Sequence, residues 1–412
     1  MSDHHTSPAP VGLAIPGDER FALDPATGRP AGRIQAVVLL LSSCLSVLGA
    51  VLLAPVLPRI EDAFAGTAGV HALTPMVLTA PALVIGLTAT AAGRIVDRLG
   101  RKRLLVWALV IYAFVGTAPL WLQSLHLILL SRVLVGVTEA AIMTCCTTLL
   151  ADYFHGPQRA RYFGLQTVYT TIAATVCFAL GGALGSQNWR TPFWLYAVSL
   201  PLAYLAARHL WQPARAVAEP DRTLPPVPWR QFGAPIGVTL VGGLVFYALV
   251  VELSFVLDDL GVESTARIGA VSAVASLATA AGAWSFARLA RLGPVVTIPT
   301  AFMLCGVGLG ALGLAGSVPV AVLAALIAGL GNGLLLPALL TWSLGAFSFE
   351  QRGRATGAWT SALFIGQFVC PLIVLALSAA AGSLSAALVV IAVVALIAGM
   401  VVRLVLLSPE RV

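Results

Sequence analysis

The chain has 412 residues, 59% of them hydrophobic and only 10% charged, against about 25% charged in soluble globular proteins. A water-facing surface cannot be covered from that composition, whereas about 240 apolar residues are enough for at most about twelve membrane-crossing helices of roughly 20 residues each. A soluble enzyme, a nucleic-acid binder and a disulfide-rich secreted domain are thereby excluded. The formal net charge of +7 comes from basic residues scattered between apolar runs, with no contiguous stripe to engage nucleic acid.

In chain order, residues 1–33 are polar, carry Pro8, Pro10, Pro16, Pro25 and Pro30, and lack the apolar core of a cleavable signal. They read as a disordered cytoplasmic tail. Apolar helices are expected near 34–58, 72–96, 104–123, 125–151, 162–185 and 191–211. The stretch 212–232 is rich in Pro and charge, which is linker composition. A second set follows near 233–257, 267–288, 294–315, 317–345, 355–379 and 384–407, with 408–412 as a short cytoplasmic tail. The expected fold is an all-α membrane protein of twelve transmembrane helices in two six-helix lobes, 34–211 and 233–407, with both termini cytoplasmic. All six cysteines fall inside apolar stretches and behave as small hydrophobes. Cys145 and Cys146 have no His or third Cys at ligand spacing, so neither a metal nor a cofactor is expected.

Lys and Arg test this layout. With the amino terminus inside, 20 of the 24 fall on the cytoplasmic side, only Arg59, Arg190 and Arg267 fall outside, and Arg132 lies within a span. The positive-inside rule is satisfied, and a missing or extra span would have scattered that asymmetry. The two sets also repeat in one register. Adding 193 carries Arg98-Leu99-Gly100 onto Arg291-Leu292-Gly293, Gly136 onto Gly329, Gln158-Arg159 onto Gln351-Arg352 and Cys177 onto Cys370. Six spans is an even number, so the two repeats run parallel, the two-lobed transporter arrangement.

After the second expected span stands Gly93-Arg94-Ile95-Val96-Asp97-Arg98-Leu99-Gly100-Arg101-Lys102-Arg103. Gly93 allows close helix approach, Gly100 a tight turn, and Asp97 at a helix end can pair with an Arg across the lobes. This stretch resembles the cytoplasmic signature of the major facilitator superfamily. The resemblance implies that Asp97, Arg98 and Arg101, with Gly93 and Gly100, latch the lobes while the outer gate is open. In the second lobe Ala290 replaces Asp97, so that latch occurs once. Further family-like stretches run from Arg132 to Glu139, from Asp152 through Arg159 to Gly164, and from Trp189 to Phe193. The chain departs from the antiporter subset, because Cys177-Phe178, not Gly-Pro, precede Gly181-Gly182. It also departs from subgroups with an acid in the first span, where Gly49 stands.

Three charges lie well inside spans: Arg132, Glu139 and Glu252. Each costs about 2.5–3.5 kcal/mol at the bilayer centre on the insertion scale, so such residues face a cavity or a partner by default. Arg132 and Glu139 are two turns apart on one helix face. Their pattern resembles the organic-anion and spinster-like branches of the superfamily, where the acid is linked to proton coupling. Glu139 is therefore the proton-coupling candidate, with Arg132. The competing reading is a permanent structural Arg–Glu bridge. Glu252 either meets Arg132 across the lobes as an outer gate or snorkels to the interface. Asn332 stands opposite Glu139 in the repeat. With Thr138, Ser43, Ser46, Trp342 and Ser343 it forms a candidate substrate lining, although small polar residues also serve helix packing.

These features are read as a proton-coupled secondary active transporter working by alternating access, exporting lipophilic or cationic compounds. The alternative is a proton symporter for a small organic anion, anchored by Arg132. A non-transporting receptor or scaffold is disfavoured for want of a soluble output domain. An enzyme is disfavoured because the span charges lack a nucleophile constellation, and a primary pump because no phosphate loop appears. The expected partners are a small-molecule substrate, protons and lipid, with no nucleic acid. The expected setting is a bacterial inner membrane, crossed many times by a chain that functions as a monomer.

Overall fold

The computed structural model describes residues 28, 30–212, 229–345, 347 and 349–407. Residues 213–228 of the expected linker 212–232, the tail 408–412 and all of the expected tail 1–33 except 28 and 30–33 lie outside the described residues, and residues 229–232 already belong to a helix. The described elements are α1 (Arg33–Ala63), α2 (Val70–Leu99), α3 (Arg101–Thr117), α4 (Leu125–Tyr153), α5 (Gly156–Gly185) and α6 (Ser199–His209), then α7 (Trp229–Asp259), α8 (Thr265–Leu289), α9 (Pro294–Gly313), α10 (Val318–Leu344), α11 (Phe349–Ala381) and α12 (Leu384–Leu407). Among the described residues, eleven helices are long and apolar enough to cross a membrane. The segment at the sixth expected position is the exception. It begins as a 3-10 helix over Thr191–Val198 and continues as α6, and Pro192, Tyr196, Pro201 and Tyr204 dilute its apolar character. It nevertheless packs along α3.

Burial is the reverse of a soluble protein's. Large apolar side chains such as Trp107, Phe114, Ile397 and Met400 point outward, while Arg132, Glu139 and Glu252 are buried. Contiguous apolar exposure on this scale is what a lipid-facing surface requires. In the first half α4 packs on α1, α2 and α3, and in the second α10 packs on α7, α8 and α9, with α12 against α9. The halves are joined chiefly by α2 with α11 and α5 with α8, and α1 also touches α7 and α8.

The 193-residue register is visible in the packing. A Cβ on Gly136 would lie 2.7 Å from Pro81 Cα, so α4 crosses α2 in near backbone contact. A Cβ on Gly329 would lie 2.6 Å from Ala275 O, where α10 crosses α8. The loops match as well, since Gly100 turns with φ 85° and Gly293 with φ 76°, a conformation that glycine adopts without steric cost. The halves meet most closely at the end remote from these basic loops. There a Cβ on Gly182 would come 2.4 Å from Thr265 O, Thr265 Oγ1 donates to Gly182 O at 3.0 Å, and Arg59 donates to Glu263 O at 3.2 Å.

Helix α1 is the irregular one. Its α-helical pieces are Arg33–Ser43, Leu45–Val51 and Leu57–Ala63, with a 3-10 turn at Ala54–Val56. Pro55 and Pro58 remove backbone donors from its later part. A broken span frees carbonyls within the hydrophobic layer, and these need partners from neighbouring helices.

Candidate functional site

Two tyrosines supply those partners. Tyr112 of α3 donates its hydroxyl to Leu45 O at 2.8 Å, and Tyr247 of α7, in the other half, donates to Ala50 O at 2.8 Å. Glu139 of α4 reaches the same place, with Oε1 3.4 Å from the Tyr112 hydroxyl. Its carboxyl occupies the space a side chain at residue 49 would take, because a Cβ on Gly49 would lie 1.8 Å from Glu139 Oε1. Gly49 is therefore more than a position where other subgroups carry an acid. It is the socket for an acid contributed by another helix.

Arg132, two turns away, faces the far side of the tyrosine pair. Its Nη1 donates to the Tyr196 hydroxyl at 2.7 Å and its Nη2 to Gly116 O at 3.4 Å. The guanidinium also lies 4.6 Å from the Tyr196 ring centroid and 5.5 Å from that of Phe193. Tyr196 in turn packs on Tyr112 with centroids 5.2 Å apart. Among the described residues no ion pair joins Arg132 to Glu139; in place of the competing reading, a permanent bridge, a chain runs Arg132, Tyr196, Tyr112, Glu139.

The other expected residues are distributed as follows. Arg132 and Glu252 are not brought together: Arg132 is held inside the first half, whereas Glu252 lines a crevice with Glu61, His71 and Asp259 at the end remote from the basic loops. Asn332 is engaged at both ends of its amide, donating to Phe246 O at 3.0 Å and accepting from Cys305 Sγ at 3.3 Å. The hydroxyls of Ser43, Ser46 and Thr138 bond to carbonyls three or four residues back in their own helix, and Ser43 also accepts from Gln166 of α5 at 2.8 Å. Ser343 is buried with its hydroxyl unpartnered among the described residues, next to a half-buried Trp342. The side chains of Gly93, Asp97 and Arg98 lie outside the described residues. Gly100 makes the expected turn, and Arg101 forms an ion pair with Asp152 of α4. Among the described residues no three His, Cys, Asp or Glu side chains converge to hold a metal.

Sequence reasoning passed over Tyr112, Tyr196 and Tyr247. One signal was available: adding 193 to Tyr112 gives Cys305, just as adding it to Glu139 gives Asn332, so the pair at the site is repeated as a pair in the other half.

The fold and this buried polar relay define a multi-pass helical membrane protein built from two like halves around an interior site. The chain belongs to the Major Facilitator Superfamily, whose family model matches residues 39–316 and 236–412. It is 26% identical over 229 residues to the class C tetracycline resistance protein of Escherichia coli, spanning 55% of each chain. Against human protein spinster homolog 1 it is 28% identical over 252 residues, 59% of this chain and 45% of that one. It is 25% identical to the 3-(3-hydroxy-phenyl)propionate transporter of Escherichia coli K12 over 66% of this chain and 69% of the relative. The match spans only 40 to 55% of the tetracycline resistance proteins and spinster homologue. Among solved structures, a bacterial homologue of the human lysosomal transporter Spinster, inward-facing and occupied, superposes with a TM-score of 0.70 at 18% identity, over 90% of this chain and 94% of that one. The human organic anion transporter MFSD10 superposes with a TM-score of 0.68 at 18% identity, over 91% and 100%.

Proposed function

We propose that the protein is a proton-coupled secondary active transporter that works by alternating access and exports lipophilic or cationic compounds. Glu139 is the proton carrier. The observation that carries this reading is the cage around its carboxyl: buried, without an ion pair among the described residues, seated on Gly49 and touched by the Tyr112 hydroxyl at 3.4 Å. A buried carboxylate needs several donors, and this cage offers one long one; a carboxylic acid, which supplies a donor itself, is better matched. The residue beside Gly49 is bonded to Tyr247 of the other half, so movement between the halves would alter the cage and the proton affinity together. That is the link alternating access requires.

Twelve spans belong to this reading, with α6 as the shortest. So do two six-helix lobes at 34–211 and 233–407 and both termini in the cytoplasm, since the Lys and Arg distribution supports that orientation. The remaining parts are a monomer in a bacterial inner membrane with no enzymatic step. The close approach of Gly182 to Thr265 then seals the outer side, and the Arg101–Asp152 pair stands on the cytoplasmic side. Export is supported by two Glu against one Arg within the spans and by likeness to the tetracycline resistance proteins. Symport of an organic anion is favoured by the propionate-transporter relative, but Arg132, its expected anchor, is fully buried and already bonded to Tyr196 and Gly116.

The test is cellular accumulation of tetraphenylphosphonium, tetracycline and benzoate with and without an uncoupler. Wild type is expected to lower accumulation of the cation in an uncoupler-sensitive way, and Glu139→Gln to lose that effect. Uncoupler-sensitive export that survives in Glu139→Gln would overturn the assignment.

A further inference from the structure

Glu252 raises a question that the Glu139 site does not answer. It sits in α7 with only 4% of its surface exposed, it has no hydrogen-bond or ion-pair partner among the described residues, and it lines a crevice of about 220 Å³ between the two halves. The crevice opens at the end remote from the basic loops, where the ends of α1 and α7 and the start of α2 meet the last turns of α11. A buried carboxylate with no partner is costly, and the basic residue that sequence reasoning paired with it, Arg132, is committed elsewhere.

We propose that this crevice is a binding site for a small lipophilic ammonium cation, with Glu252 as its counter-charge. Three features select that chemistry. Apart from His71, the ionisable groups at the site are acidic: Asp259 lies on the wall, and Glu61, the neighbour whose charge acts on Glu252, is itself held 2.6 Å from His71 Nδ1. With His71 turned to Glu61, Glu252 has no basic partner among the described residues, and an ammonium group in the crevice would favour its charged form. Metal binding does not fit, because no three potential ligands converge there among the described residues, whereas a bulky organic cation needs only a field and an apolar wall. Phe255 and Val374 supply that wall, and a ring face adds attraction for an ammonium group. The volume is below the roughly 300–1,000 Å³ of drug-sized pockets, so the ligand has one ring at most. The ligand class agrees with the export reading, on which only the direction of transport rests; occupancy of the crevice is independent of Glu139.

The experiment is equilibrium binding of radiolabelled benzyltrimethylammonium to the full-length protein in lipid nanodiscs, with no ion gradient, so that a failure of proton coupling leaves the readout untouched. Saturable binding to wild type is expected. It should weaken at least about tenfold, roughly 1.4 kcal/mol, in Glu252→Gln, and unlabelled neopentylbenzene, the uncharged isostere, should not compete. Ser378→Trp, which fills the crevice from its half-buried rim, should abolish binding in a protein that still elutes as a single folded species. It serves as the arm that remains if Glu252→Gln does not fold. Absence of saturable binding to wild type, equal binding in a folded Glu252→Gln or Ser378→Trp, or full competition by neopentylbenzene would each overturn the proposal.

Discussion

The first and second halves place the same pair of positions side by side and fill them with different chemistry. In the first, Tyr112 meets Glu139 at 3.4 Å; in the second, the residues 193 further on, Cys305 and Asn332, meet at 3.3 Å. The helix crossings beneath them also correspond, at Gly136 on Pro81 and Gly329 on Ala275. What differs is whether the polar group can be completed by fixed neighbours. Asn332 is both donor and acceptor, and the Phe246 carbonyl and the Cys305 thiol satisfy it in one geometry. A carboxylate has no donor of its own and gains one only with a proton. At this pair of positions the scaffold is thus repeated, while a group able to gain and lose a proton stands only in the first half.

The largest expected effect comes from Arg132, whose counterpart in the second half is the buried Ala325. Arg132→Ala removes charged hydrogen bonds to Tyr196 and Gly116 and the contact with two rings, an estimated loss of about 3 kcal/mol or more. Thermal unfolding in detergent should show it as a large drop in midpoint, whereas Ala325→Ser should move the midpoint little. If Arg132→Ala unfolds like wild type, the tyrosine relay is not what holds the first half in shape.

Next in size is the socket. Gly49→Ala drives a Cβ to 1.8 Å from the Glu139 carboxyl, while Gly242→Ala, at the equivalent position, meets only the Leu339 Cδ1 at 2.6 Å. A leucine end can rotate away at little cost, whereas moving the buried carboxyl also gives up its contact with the Tyr112 hydroxyl. Gly49→Ala is expected to cost about 1–3 kcal/mol and to depress proton-coupled export, with Gly242→Ala milder on both measures. Adding Glu139→Ala to Gly49→Ala should restore most of the stability, and Glu139→Gln, which has the same bulk, should not. Equal penalties in both doubles would show that the strain lies elsewhere.

Much of this was legible before any coordinates. Spans, basic loops and the repeat follow from hydropathy, charge placement and one fixed offset, because lipid and the positive-inside rule act on composition directly. The sixth position escaped the simple apolar criterion because Pro192, Tyr196 and Pro201 are placed for packing and for holding Arg132, at the expense of mean hydropathy. Glu139 was legible because a buried acid is expensive. Its surroundings were not: a tyrosine in an apolar run has the same signature whether it faces lipid or a carboxylate, and a glycine gives no sign of which neighbour fills its empty side. The hydroxyls pose a related ambiguity. Ser43 and Thr138 satisfy themselves on their own helix carbonyls, which spacing cannot distinguish from lining a cavity.

A smaller effect is expected at Asn332. Asn332→Ala leaves the Phe246 carbonyl without its donor, about 1 kcal/mol by the measured range for hydrogen bonds between membrane helices. Because the group is locked, uncoupler-sensitive export should persist. Loss of coupling in Asn332→Ala, with the fold intact, would mean that the second half shares the proton chemistry, and the contrast between the halves would fail.

The finest test sets the two partner residues against each other. Tyr112→Phe deletes the 2.8 Å bond to the Leu45 carbonyl together with the long contact to Glu139, and Cys305→Ala deletes only weak thiol contacts, so the first should cost about 1 kcal/mol and the second about 0.5 kcal/mol, both small enough to leave the protein folded. Function should separate them. The Tyr112 hydroxyl is shared between the Leu45 carbonyl and Glu139, so its removal changes the donor supply of a group proposed to gain and lose a proton, and the pH profile of export should move. Cys305 contacts an amide and the Ala328 carbonyl, neither of which changes charge, and its removal should leave that profile in place. Since a pH profile compares one folded variant with itself across pH, a shift in both or in neither assigns the profile to something other than the cage around Glu139.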